Sequence, residues 1–127
     1  MAVSIDALLR RVRAQLARVE AADLEAALSA GAWLIDIRPE AQRSAEGAFP
    51  RAHIIERNVL EWRLDPQSSA RITPGPAYDD QVIIACSAGY ASSLAAATLQ
   101  ALGFRRATDL AGGYQAWRGL DVGMHGA

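Results

Sequence analysis

Lysine is absent: all thirteen basic residues of the 127-residue chain are arginine. Fourteen acidic residues set against them leave a net charge of −1, so no basic excess points to nucleic acid or an anionic membrane as a partner. With alanine so abundant, the missing lysine reads as a compositional bias. A single cysteine excludes an intrachain disulfide and every metal site built from several cysteines. The two histidines, His53 and His125, stand far apart and in no ligand-like spacing. Neither a metal nor an organic cofactor is expected. No apolar run approaches the roughly 18 residues needed to cross a bilayer. The opening "MAVSIDALLRRVRAQLARVE" carries Asp6 early and arginine throughout, so it is expected to be neither a secretory signal nor an anchor. A reducing, cytoplasmic location follows as the default, and there a lone thiol stays free. Three of the five prolines fall in "DPQSSARITPGPAYDD" (65–80), which marks a loop.

What remains is an ordinary globular composition, 51% hydrophobic and 21% charged. The length suits one domain, and such a chain buries roughly two thirds of its unfolded surface. Ile5, Leu8, Leu9, Val12, Leu16 and Val19 recur at helical spacing with arginines mostly off the stripe, and Ser4 stands as an N-cap. They predict an N-terminal amphipathic helix that packs on its own domain. Its basic polar face leaves a membrane-surface or partner-binding role as the lesser alternative. Leu24, Ala27 and Leu28 predict a short helix ended by Gly31. "AWLIDIR" (32–38) suits a buried parallel strand, and Pro39 stands where a helix begins. "AHIIE" predicts a strand, and "NVLEWRL" a short helix capped by Asn58. "QVIIAC" is the strongest strand, followed by the helix "SSLAAATLQAL" closed by Gly103. "RATDL" predicts a last strand, and "GGYQAWRGL" opens on two glycines and closes as a helix. Strands alternating with helices imply a parallel sheet, here of about five strands, covered on both faces.

In such sheets ligands bind beyond the carboxyl ends of the strands, and Cys86 ends the strongest one. By position alone, inert burial is the commoner fate of a lone cysteine. The residues after it reverse that reading. "SAGYA" joins strand to helix with small and turn-forming residues. A loop curled around the sulfur would aim backbone N–H groups inward, and the helix start would add its own. Gly89 supplies a positive φ for the curl. Ala88, Ala91 and Ser92 leave the cavity open, and Ser87, Ser92 and Ser93 offer hydroxyls. Such a cradle favours a thiolate, a small anion or a persulfide.

"CSAGYASS" followed by a helix and "LAGGYQAW" resembles the rhodanese family of sulfurtransferases, whose active cysteine opens a Cys-x-x-Gly loop. "LIDIRPEAQRSAEGAFPRAHII" resembles the family's first signature, and "GGYQAW" its closing one. The similarity runs in order from about Val19 to Leu120, so residues 1–18 form a helical extension packed on a rhodanese-like domain at 19–127. The resemblance implies a single α/β domain and sulfur transfer. Cys86 would take a sulfane sulfur from thiosulfate, mercaptopyruvate or a persulfide and pass it to a thiol, cyanide or a sulfur-carrier protein. Ser87, Ala88, Gly89, Tyr90, Ala91 and Ser92 would bind the substrate, while Asp36 and Arg38 support loops at that edge.

Two departures matter. Gly47-Ala48-Phe49-Pro50-Arg51-Ala52 lacks the histidine and second glycine usual in the first signature, a change expected to affect packing. Many relatives carry arginine at the position of Ala91 and some at that of Ser87, whereas no loop residue here is charged. That favours a persulfide or a neutral partner over the thiosulfate dianion. It also supports the alternative of a catalytically weak binding or redox-sensing module. Phosphatases of the same fold enlarge the loop and close it with an arginine, and none stands near it in sequence, so phosphoryl transfer would lack its main stabiliser. Trp33, Trp62 and Trp117 read as core or interface residues, His53 as a structural histidine, and Gly112 and Gly113 as a tight turn. Tyr90 is either the mouth of a pocket or a solvent-facing aromatic.

Overall fold

The computed structural model describes residues 1–125, with side chains described to Leu120; the side chain of His125 and the expected domain limit at residue 127 lie outside them. The elements run α1 (Ile5–Arg13), α2 (Leu24–Ser29), β1 (Trp33–Asp36), α3 (Glu40–Glu46), β2 (His53–Ile54), α4 (Leu60–Leu64), β3 (Val82–Ala85), α5 (Ala91–Leu102), β4 (Ala107–Asp109) and α6 (Gly113–His125), with short 3₁₀ turns at Ala21–Asp23 and Arg57–Val59.

A continuous apolar strand fits a sheet covered on both faces, and Val82–Ala85 is buried at every position. The pleat sends alternate side chains to opposite faces. Ile35, Ile37, Val82, Ile84 and Cys86 pack with Leu60, Leu64, Ala95, Ala96, Leu99 and Phe104 on one side. Leu34, Ile83 and Ala85 pack with Leu24, Phe49, Leu110 and Tyr114 on the other. Each fully buried Leu, Ile or Phe contributes about 1.5–3 kcal/mol, so these two layers fix the sheet and with it the position of its carboxyl edge.

The strands are all parallel, in the order β2-β1-β3-β4. There are four among the described residues, where about five were expected. The fifth position is held by a single parallel bridge from Val19 to Leu110, with Val19 N–H donating to Asp109 O at 3.0 Å and Ala111 N–H to Val19 O at 2.8 Å.

That bridge corrects the reading of the N-terminus. Ser4 caps α1 by accepting from Ala7 N–H at 3.0 Å, but the helix ends at Arg13 and does not run through Leu16 and Val19. Leu16 and Val19 are buried because the chain turns and extends along the sheet edge. A burial need at helical spacing mimicked a longer helix. At the other end of the stripe, Ile5 is exposed. Asn58 is likewise not a cap. It lies inside the second 3₁₀ turn, and α4 starts at Leu60 without a side-chain cap. Among the described residues no helix is long and apolar enough to cross a membrane.

Candidate functional site

Cys86 directly follows β3, at the carboxyl edge of the sheet, and is a free, buried thiol. The loop curls back on it, and Gly89 N–H donates to Sγ at 3.2 Å. Gly89 has φ +86°, and a Cβ there would stand 2.7 Å from Gly112 N. The turn therefore needs glycine for its conformation and for its close approach to the Gly112–Gly113 turn. Among the described residues, none accepts from the N–H groups of Ser87, Ala88, Tyr90, Ala91 or Ser92. The last two belong to the first turn of α5, where helix geometry leaves donors without an intrahelical partner. The loop thus presents one N–H to sulfur and several unoccupied donors beside it, the arrangement that binds anions at helix starts.

Gly113 forms the floor. Its N–H donates to Leu110 O at 3.1 Å, and the two following N–H groups hold the loop from below: Tyr114 to Cys86 O at 2.8 Å and Gln115 to Ser87 O at 3.0 Å. The two glycines are more than a tight turn, because their backbone is the surface on which the loop rests.

The loop hydroxyls were expected to face substrate, and they do not. Ser87 Oγ donates to Glu46 Oε2 at 2.6 Å and accepts from Gln115 Nε2 at 2.9 Å. Ser92 and Ser93 Oγ donate to Asp109 Oδ2 at 2.7 and 2.8 Å. Buried polar groups seek partners, and here they find them in the scaffold. Ala88 is half-buried, while Ala91 and Tyr90 are exposed, Tyr90 by 61%.

Asp36 and Arg38 reach the loop through a residue the sequence reading missed. Arg38 is completely buried and binds Asp36 at 3.0 and 2.7 Å, Glu46 at 3.1 Å and Gly47 O at 2.9 Å. Its guanidinium also lies 4.2 Å from the ring centroid of Tyr114. Burial works against the Arg38 charge, but the hydrogen bonds and charges of Asp36 and Glu46 outweigh it, and its pKa is raised. Glu46 then receives Ser87 on its other oxygen, so the chain Asp36–Arg38–Glu46–Ser87 ties β1 to the loop. The signal for Glu46 was weak, since it ends a helix eight residues after Arg38 with nothing local to mark it.

The second missed feature is electrostatic. No arginine stands near the loop in sequence, but two reach it in space. Arg13 Nη2 donates to Gly89 O at 2.7 Å and its Nε to Ser93 Oγ at 3.0 Å. Arg18 Nη2 donates to the same carbonyl at 3.0 Å, while Nε and Nη2 grip both oxygens of buried Asp109 at 2.8 and 3.1 Å. Elsewhere, Trp33 and Trp117 pack against the two cores, Trp62 is exposed, and His53 sits exposed on β2 against Trp33. No group of His, Cys, Asp and Glu able to hold a metal occurs among the described residues.

The rhodanese-like domain family matches residues 20–120, which is most of the chain. The chain belongs to the rhodanese-like domain family. Arg13 and Arg18 lie outside the matched residues. No curated protein matches the chain in sequence. Among solved structures, a Rhodopseudomonas palustris protein of unknown function, described as a possible tyrosine phosphatase, is similar at 27% identity over 95% of this chain and 93% of its own, with a TM-score of 0.84. A human single-domain sulfurtransferase is similar at 27% identity over 80% of this chain and 95% of its own, TM-score 0.69. A rhodanese homolog of Thermus thermophilus is similar at 25% identity over 78% and 98%, TM-score 0.57.

Proposed function

We propose that this rhodanese-like domain is a sulfurtransferase that works through a Cys86 persulfide. The observation that carries the reading is the loop itself. Gly89 N–H points at Sγ, and several further N–H groups on the same loop have no acceptor among the described residues. Those donors match the terminal sulfur of a persulfide, which bears the charge after transfer. Family membership and the likeness to a single-domain sulfurtransferase support the same chemistry.

With thiosulfate as donor, the Cys86 thiolate attacks the outer sulfur. The S–S bond of thiosulfate breaks, sulfite leaves with the bonding pair, and Cys86–S–S⁻ remains. An acceptor nucleophile then attacks the outer sulfur of the persulfide. Cyanide leaves as thiocyanate, a thiol as its own persulfide, and the Cys86 thiolate is regenerated. No proton must be abstracted from the nucleophile, so no general base is required. A sulfur-carrier protein would meet the persulfide at the same exposed edge, beside Tyr90.

Cys86→Ser is expected to abolish thiocyanate formation from every sulfane-sulfur donor while leaving the melting temperature within a few degrees of the parent. Turnover that survives the substitution would sink the mechanism. A folded parent protein inactive with thiosulfate, mercaptopyruvate and low-molecular-weight persulfides alike would favour a binding or redox-sensing module. Hydrolysis of an aryl phosphate by the parent and not by Cys86→Ser would favour phosphatase chemistry instead.

A further inference from the structure

The loop has no charged side chain, but a charged side chain holds it. Gly89 O accepts from two guanidiniums, Arg13 at 2.7 Å and Arg18 at 3.0 Å. In a trans peptide the C=O and the next N–H point in opposite directions. Clamping Gly89 O therefore fixes Tyr90 N–H pointing away from the arginines, and polarisation of the carbonyl strengthens that N–H as a donor.

The two arginines are not equivalent. Arg18 is compensated, because it forms a bidentate pair with buried Asp109. Arg13 has no carboxylate within ion-pair distance among the described residues. Arg13 is a half-buried residue whose guanidinium is bonded to Gly89 O and Ser93 Oγ and lies 5.5 Å from the ring centroid of exposed Tyr90. Arg13 thus brings a guanidinium without a paired carboxylate to the Gly89 side of the loop, whereas on the Ser87 side Glu46 shares the one Arg38 cation with Asp36. The Arg13 charge comes from α1, outside the residues that match the family.

We propose that Arg13 is a specificity-determining and positioning residue of the Cys86 site, selecting small inorganic anions, the thiosulfate dianion in particular, over uncharged reagents. This reverses the expectation drawn from the uncharged loop. Its substrate class rests on the sulfur-transfer reading, but its charge does not, and the two are tested separately.

The charge is read by alkylating Cys86 in the full chain with iodoacetate and with iodoacetamide, which differ in charge and little in size. Removing one unit charge is expected to lower the iodoacetate-to-iodoacetamide rate ratio about fivefold in Arg13→Gln. Arg13→Lys should retain most of the ratio, and high salt should bring the parent towards the Gln variant. A purely structural role would change both rates together and leave the ratio unmoved. In turnover, Arg13→Gln should raise the thiosulfate KM about tenfold with a smaller effect on kcat.

An unchanged ratio in Arg13→Gln overturns the proposal. So does a parent thiol that neither reagent reaches, since a donor of similar size would also be excluded. If no sulfur transfer is found with any donor, the sulfur reading fails, and the alkylation ratio still decides the role of Arg13.

Discussion

Replacing Arg38 with methionine is expected to destabilise the domain by about 3–5 kcal/mol, the usual cost of removing one partner from a buried ion pair. The Arg38 side chain is wholly buried and Asp36 nearly so. Methionine fills part of the space but leaves the Asp36 carboxylate without its bidentate donor, and it strips Glu46 and Gly47 O of theirs. The ring faces of Tyr114 and Phe49 lose their cation as well. Against a total stability of about 5–15 kcal/mol, this is a large fraction. For a chain of this length it lowers the melting temperature by roughly 10–20 °C. Arg38→Lys keeps the charge but loses the planar fork and should fall between. Asp36→Asn combined with Arg38→Met should recover part of the loss, since the most deeply buried carboxylate, Asp36, is then no longer an unpaired charge, while Glu46 still lacks its Arg38 partner. Denaturant unfolding of the four proteins checks the series. A single variant Arg38→Met that unfolds within a few tenths of a kcal/mol of the parent contradicts the description of this network.

Gly113→Ala is the second large effect, and it falls on activity as much as on stability. Gly113 has φ +61°, and a Cβ would press against Cys86 O while standing 2.7 Å from Ser87 O. The left-handed backbone alone costs an alanine about 1 kcal/mol. Relieving the contact requires the loop to lift from its floor, which also strains the bonds from Tyr114 N–H and Gln115 N–H to the same carbonyls. The sum is about 2–4 kcal/mol, within the range of strained backbone sites. Because the displaced atoms belong to Cys86 and Ser87, turnover should fall at least about tenfold, as it does when reacting groups are misplaced by a fraction of an ångström to an ångström. Gly31→Ala is the control. It too has positive φ, +104°, but open space around the new methyl, so it should lose stability and keep activity. Equal activity losses in the two variants would show that the Gly113 contact does not govern the loop.

The parts of this molecule that were legible in its sequence are those fixed by local pattern. β3 and β1 are apolar runs of strand length, and they form as the runs predict. Gly31 and Gly103 end their helices with positive φ, and the carboxyl edge of β3 placed Cys86. The parts that were not legible are long-range pairings. The stripe from Ile5 to Val19 has helical spacing, but Val19 is buried through its bridge to Leu110, a partner that periodicity cannot see. The serines after Cys86 looked like ligands for substrate because nothing local showed that Glu46 and Asp109 claim them. The positive charge at the loop was invisible for the same reason: Arg13 stands 76 positions before the carbonyl it binds. The strand end and the loop composition pointed to a candidate site, but its electrostatics were decided by how distant segments meet.

The central claim is that Cys86 carries the transferred sulfur, and intact-protein mass spectrometry tests it most directly. After incubation with thiosulfate and removal of excess donor, the parent should gain the mass of one sulfur, localised to the peptide containing Cys86. Cyanide should remove it with formation of one equivalent of thiocyanate, and Cys86→Ser should gain nothing. A folded parent that acquires no sulfur from thiosulfate, mercaptopyruvate or a persulfide, or a sulfur adduct that persists in Cys86→Ser, would contradict the account.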